Sequence, residues 1–389
     1  MPAPILLDLS HTAHTRARTG IQRVTRSLLH ALGDDAVPLT FDPYRRVWRE
    51  LASWEHANLA APGPAARRGA RWPWHARWRG RLARWTRAAA APLPAHRGVV
   101  VPELFSPLVG AALPALSPSL RGPRVALFHD AIALKLPEHT PTKTVARFPA
   151  YLRELLQFDG IAAVSEDSRR ALVDYWEWSG ARATPPVVTL PLGVDPRVRP
   201  AAADAAGAPS GPPIVLSVGS IEGRKNHLAL LEACARLWQE GRNFELRLVG
   251  LAQPETGAAA LARIEQLRAA GRPLRYDGPV SDAAIDAAYA QSAFTVYPSL
   301  MEGFGLPVLE SLAHGRPCIC SGQGALGEAA KGGGCVMLDT VDAPSLAAAI
   351  ERLLADSGER ERLTLEATQR PQRTWADYAR ELRSWMGQL

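Results

Sequence analysis

Tyr297-Pro-Ser-Leu-Met-Glu302-Gly-Phe-Gly-Leu-Pro-Val-Leu-Glu310 is the stretch on which the fold turns. The apolar run 294–297 reads as a buried strand that ends in a loop at Pro298. Gly303 and Gly305 free the backbone for a tight turn and for close approach to a ligand. Pro307 suits the first position of a helix, where its missing N–H leaves nothing unpaired. The amides of Phe304, Gly305 and Leu306 would then point out of a helix N-terminus, which is an anion site. Glu302 precedes the turn and Glu310 closes the first helical turn. Amides for a phosphate, bracketed by carboxylates for hydroxyls, suit a phosphorylated sugar compound.

Upstream, Ser217-Val-Gly219-Ser-Ile-Glu-Gly223-Arg224-Lys225-Asn226 follows the same logic. A strand runs into a glycine loop with two cations at a helix start, at the carboxyl end where open α/β sheets bind ligands. Arg224 and Lys225 could neutralise a diphosphate, the arginine bidentately. Alone, this reads as a solvated loop with ordinary surface charge; its pairing with the Glu302–Glu310 stretch reverses that in favour of a ligand site.

Outward from these loops, strands are expected at 214–218, 245–249, 274–276, 294–297, 318–319 and 335–338. Helices lie between them, capped at Asn226 and Ser281 and opened at Pro344. The first half alternates in the same way, with apolar runs at 5–8, 37–41, 99–101, 125–129, 161–164 and 187–190. Such alternation implies parallel sheets covered by helices on both faces. The fold class is therefore α/β, with two Rossmann-like domains facing each other across a cleft. The first spans 1–195, a linker rich in Ala, Pro and Gly spans 196–213, and the second domain spans 214–370. A last helix in 371–389 carries Trp375, Tyr378, Leu382 and Trp385 on one face, and the first domain is a candidate surface for it.

Composition narrows the function. The 389 residues suit two domains. No run approaches the ~18 apolar residues of a membrane span. The start has no basic region followed by an apolar core, so no secretory signal is expected. Four cysteines without paired spacing read as reduced thiols. Residues 44–98 carry 12 Arg, no Lys and two Glu, a net +10 against +7 for the chain, which leaves −3 for everything else. Any argument about a membrane or polyanion must rest on that insert. There is no Asp-x-Asp and no cluster with metal spacing, so no metal is expected. His11 and His14 are expected to face solvent or acceptor. No Gly-x-Gly-x-x-Gly follows a strand.

The Val218–Asn226 loop together with Glu302-x7-Glu310 resembles the family-four retaining glycosyltransferases of the GT-B fold. The likeness is greatest to bacterial mannosyl- and rhamnosyltransferases of surface polysaccharide assembly. Thr19-Gly-Ile-Gln-Arg-Val, Phe128-His129-Asp130, Ala163-Val-Ser165 and Leu192-Gly-Val-Asp195 match further landmarks. The resemblance implies that the first domain binds acceptor and the second a nucleotide-diphosphate sugar. Arg224 and Lys225 would hold the diphosphate and Glu310 the ribose. Glu302 with the amides of Phe304, Gly305 and Leu306 would hold the sugar and phosphate, and Gly278 and Val280 would lie beside the base. His129 would meet the donor sugar where charge develops, and the helix opened by Gly20 would face phosphate or acceptor. The catalytic set is thus Glu302, His129, Arg224 and Lys225, with no metal and no cofactor. Many relatives carry Arg where this chain has Ser220, so Arg224 is the arginine of this loop.

The implied reaction is hexose transfer with retention, with mannose from GDP-mannose as the guess, to a saccharide or lipid-linked acceptor in surface polysaccharide synthesis. A cytoplasmic place, peripheral at the inner membrane face, goes with it, and nucleic acid is not an expected partner. Two alternatives stay open: a nucleotide-sugar epimerase on the same fold, or a non-enzymatic binder of membranes or polyanions that uses the insert. Within the insert, Trp74, Trp78, Leu82 and Trp85 fall on one helical face and arginines fill much of the rest. That pattern suits an anionic membrane surface at 65–90. The other reading packs the Trp side chains on the body and leaves the arginines solvated.

Overall fold

The computed structural model describes residues 3–17, 20–61, 69–89, 91–194 and 211–389. Thr19, Asp195, the Pro62-Gly-Pro64 break and most of the expected 196–213 linker lie outside these residues. The chain divides into two compact units. Met1–Asp130, Arg147–Gly193 and Trp375–Leu389 form the first, and Ala131–Ala146 with Val194–Thr374 form the second.

The first unit is built on β1 (Ile5–Asp8), β2 (Ala36–Asp42), β3 (Val47–Glu50), β4 (Val99–Val101), β5 (Arg124–Phe128), β6 (Gly160–Ala163) and β7 (Val187–Thr189). Their spatial order is β3-β2-β1-β4-β5-β6-β7. Every neighbouring pair is parallel except β2 with β3. Parallel strands covered on both faces read as unbroken apolar runs, and Ile5, Leu6, Leu7 and Val99, Val100, Val101 are all buried. β3 departs from the sequence reading, which gave the basic insert no strand. It folds back on β2 with Trp48 opposite Phe41, and Trp48 Nε1 donates to the Ala112 carbonyl at 3.0 Å.

The Gly20–Leu32 helix buries Val24, Leu28 and Leu32. The Trp375–Met386 helix packs against it and buries Trp375, Tyr378, Leu382 and Met386. Arg383 pairs with Asp35, and a Cβ on Gly160, the first residue of β6, would lie 2.7 Å from both Trp385 and Leu389. The last helix therefore belongs to the first unit.

The second unit carries β8 (Ile214–Val218), β9 (Glu245–Val249), β10 (Leu274–Tyr276), β11 (Phe294–Tyr297), β12 (Cys318–Ser321) and β13 (Cys335–Leu338). All are parallel, in the order β10-β9-β8-β11-β12-β13. This is the dinucleotide-fold order, with its switch point between β8 and β11. Val215, Leu246, Leu248, Phe294 and Val296 from the strands meet Leu230, Leu231, Ile264, Leu346 and Ile350 from the helices in one core. The unbroken 1–195 domain of the sequence reading differs from what is seen here. Residues 131–146 leave the first unit for the second, where the Thr142 amide and hydroxyl donate to Glu255 Oε1 at 3.0 and 3.1 Å.

Candidate active site

The loops that follow β8 and β11 flank the switch point and are tied to each other. The Leu300 amide donates to the Arg224 carbonyl at 2.9 Å, and Arg224 Nη1 donates to the Met301 carbonyl at 3.3 Å. Asn226 adopts a left-handed conformation (φ +53°), and its side chain donates to the Val341 carbonyl at 2.8 Å rather than capping the His227–Gln239 helix. A Cβ on Gly223 would lie 2.7 Å from His139 Nδ1, so glycine admits the 131–146 segment against this loop.

These ties bring four charged side chains together. Arg224 Nη2 meets Glu222 Oε1 at 2.7 Å, and Arg224 Nη1 meets Glu302 Oε1 at 2.7 Å. Lys225 Nζ meets the same Glu302 oxygen at 2.7 Å. The lysine also donates to the Tyr297 hydroxyl and stands 4.6 Å from that ring's centroid. The Lys225 and Glu302 side chains are only 8% and 10% exposed. Burial would raise the Glu302 carboxyl, but Arg224 and Lys225 prevail and hold it at about 2, so it is ionised. Burial pushes the Lys225 ammonium down from its usual value, against the pull of Glu302. Around this cluster, the buried Ser217 hydroxyl and His227 Nδ1 have no hydrogen-bond partner among the described residues. His227 is held at about 3 by burial and then by Lys225, and so stands neutral.

The sequence reading gave Arg224 and Lys225 to a diphosphate; in the structure Glu222 and Glu302 pair with them. Glu222 and Tyr297 were not among the expected site residues. Their one sequence signal was position, two before Arg224 and at the end of β11.

Gly305 takes φ +93°, a conformation that L side chains rarely adopt, and precedes the Leu306–Ala313 helix. Pro307 is therefore the second helical residue rather than the first. The amides of Phe304, Gly305 and Leu306 make no hydrogen bond among the described residues. Glu310 is buried in the same helix at 4% exposure. Gly278, two residues beyond β10, takes φ +65°, and its carbonyl accepts from the Gly250 amide at 2.9 Å. Val280 packs its side chain on the cluster of Leu216, Val249, Ala288 and Tyr289.

Gly20 and His129 belong to the first unit. His129 is half-buried, its Nε2 is 2.7 Å from the Pro102 carbonyl, and desolvation pushes its imidazole down. A Cβ on Gly20 would meet nothing within 4 Å, so packing does not demand glycine there. His14 departs from expectation. It is buried rather than facing solvent, 2.7 Å from Glu55 Oε1 and stacked on Trp72 at 4.2 Å. Trp48, Trp54 and Trp72 thus pack with the body, as that alternative held, but Trp74, Trp78 and Trp85 do not.

Among the described residues, no group of three His, Cys, Asp or Glu side chains is arranged to hold a metal ion. No described helix is long and apolar enough to cross a membrane.

The family described as Glycosyl transferases group 1 matches residues 198–370. The serotype-specific mannosyltransferase WbdA of Escherichia coli is 26% identical over 81% of this chain and 38% of its own length. This chain thus spans well under half of that relative. The O-antigen chain mannosyltransferase B of Escherichia coli is 30% identical over 61% of this chain and 62% of its own. Among solved structures, sucrose-phosphate synthase from Thermosynechococcus elongatus superposes with a TM-score of 0.71 at 19% identity, covering 99% of this chain and 98% of that one. Likeness at that identity shows a shared fold.

Proposed function

We propose that the chain, whose residues 198–370 match the group 1 glycosyl transferases, moves a hexose from a nucleotide-diphosphate sugar to a saccharide or lipid-linked acceptor, with retention. The observation that carries this reading is the cluster at the β8/β11 switch point. Arg224, Lys225 and Glu302 meet there, beside the unpaired amides of Phe304, Gly305 and Leu306. The diphosphate takes those amides and the two cations, and their charge stabilises the leaving group as the glycosidic bond breaks. Glu302 accepts from sugar hydroxyls, Glu310 from the ribose, and Gly278 and Val280 line the base. His129, neutral, supplies a hydrogen bond to the sugar, and the Gly20 helix start faces phosphate or acceptor. The acceptor hydroxyl attacks on the face the diphosphate leaves, and the diphosphate takes its proton. No metal enters this scheme, and the absence of Asp-x-Asp supports that. Mannose from GDP-mannose is the donor we favour, because WbdA and the O-antigen mannosyltransferase carry that sugar in their names.

The reading extends to place, at the inner face of a membrane. The Trp74–Trp85 helix supports it: Trp74, Trp78, Leu82 and Trp85 are 74, 65, 57 and 83% exposed. Only Gly80 is buried, and a Cβ there would lie 2.7 Å from that of Tyr44. The helix touches the body on its glycine side and turns its aromatic and arginine sides outward. That geometry suits an anionic interface.

The test is a screen of nucleotide sugars by saturation transfer and thermal shift, then turnover with chelator present. Binding of GDP-mannose with chelator-resistant transfer is expected. Binding of no nucleotide sugar would overturn the reading, and activity lost to chelator and restored by Mg²⁺ would overturn its metal-free part.

A further inference from the structure

Arg224 and Lys225 bring two positive charges to the cluster, and Glu222 and Glu302 bring two negative ones, each contact at 2.7 Å. As it stands the cluster is formally neutral and offers a bare diphosphate no net attraction. The two carboxylates are not equivalent. Glu222 pairs with Arg224, whereas a single Glu302 oxygen joins both cations. Glu302 also sits on the β11 loop, two residues before the unpaired Phe304 amide. A diphosphate that takes those amides and both cations must therefore displace Glu302. That carboxylate is 10% exposed, and a buried charge stripped of its partners is strongly unfavourable. Displacement succeeds only where something else hydrogen-bonds the carboxylate. Hydroxyls of a sugar carried on the phosphate are placed to do so.

We propose that Glu302 is a switch that tells the sugar-bearing nucleotide from the bare one. It yields Arg224 and Lys225 to the diphosphate when sugar hydroxyls accept its company, and it retakes them once the sugar has gone, driving the nucleoside diphosphate out. This rests on the reading above that the site binds a nucleotide-diphosphate sugar. No covalent step is assigned to Glu302.

The experiment measures calorimetric affinities for GDP and GDP-mannose, with UDP and UDP-glucose as a second pair. Glu302→Gln keeps the shape and removes the charge. It should bind GDP about 5-fold tighter or more, since a charge-assisted competitor for the cations is gone, and bind GDP-mannose no tighter. Glu222→Gln, which removes the other carboxylate charge on Arg224 and leaves the Glu302 contacts in place, should tighten both ligands alike. Circular dichroism checks that the variants fold. On the unaltered protein, free mannose should tighten GDP, because it holds Glu302 away from the cations. An unchanged GDP to GDP-mannose ratio in Glu302→Gln overturns the switch, and so does the lack of any effect of mannose on GDP. If the unaltered protein binds neither pair, the functional reading itself fails. If it binds a sugar nucleotide and the ratio does not move, the switch alone fails.

Discussion

Lys225 keeps an ammonium where burial works against it, held by Glu302 and the Tyr297 hydroxyl. Aimed at a leaving diphosphate, such a donor matters most as charge grows. Lys225→Ala and Arg224→Ala should each lower turnover ~10²-fold or more at saturating sugar nucleotide. Near-normal rates in both would remove them from the chemistry. Asp8 makes a different point at the same scale. It ends β1, buried, and its carboxyl is pushed up to about 7, by burial first and by Glu103 second. Unfolded, it ionises near 3.8. Between those values the unfolded chain has already released a proton that the folded chain still holds, so stability falls as pH rises. Asp8→Asn removes that dependence and keeps an oxygen for the Ser10 amide and hydroxyl. The variant should gain on the parent from about pH 4 to about pH 7, by a few kcal/mol in all, and no further above. Melting temperatures across that range decide it, and a constant offset would contradict the assignment.

The Trp74–Trp85 helix is the element whose role is open to direct measurement. Replacing Trp74, Trp78 and Trp85 by Ala should cut flotation with anionic liposomes at least ~10-fold and leave the fold intact, because these side chains contact little of the body. Added salt should weaken what remains, since the arginines act through screened charge. Equal flotation of variant and parent would refute the membrane reading. Elements differed in how legible they were. β8 and β11 could be read to the residue because a strand buried on both faces is a plain apolar run between turns. β9, β10 and β13 could also be read to the residue, although β10 and β13 are edge strands that expose Arg275 and Met337. β3 could not, because Val47-Trp-Arg-Glu alternates inside an arginine-rich stretch and its pairing partner is β2. That Arg224, Lys225 and Glu302 meet in a charge-balanced cluster with Glu222 was not readable. Its charge balance depends on two loops, distant in sequence, being tied at Leu300 and Met301. The docking of His139 at Gly223 left no local trace at all.

At the scale of the molecule, the chain passes between its units four times, after Asp130, Ala146, Gly193 and Thr374. The first unit thus depends on a helix encoded beyond the second. Leu382 is fully buried in that helix, and Leu382→Ala should cost about 2–5 kcal/mol. Hydrogen exchange should show the loss in β1, β4 and β6, with β8 and β11 keeping their protection, and a loss shared evenly by both sheets would contradict this. The same route has a consequence in time. A ribosome that has finished Gly193 must still translate residues 194–374 before Trp375 emerges, roughly 10–40 s at ~5–20 residues per second. Through that interval Val24, Leu28 and their neighbours on the Gly20–Leu32 helix await their cover. The nascent first unit therefore leaves that apolar face without its final cover for as long as the second is being made.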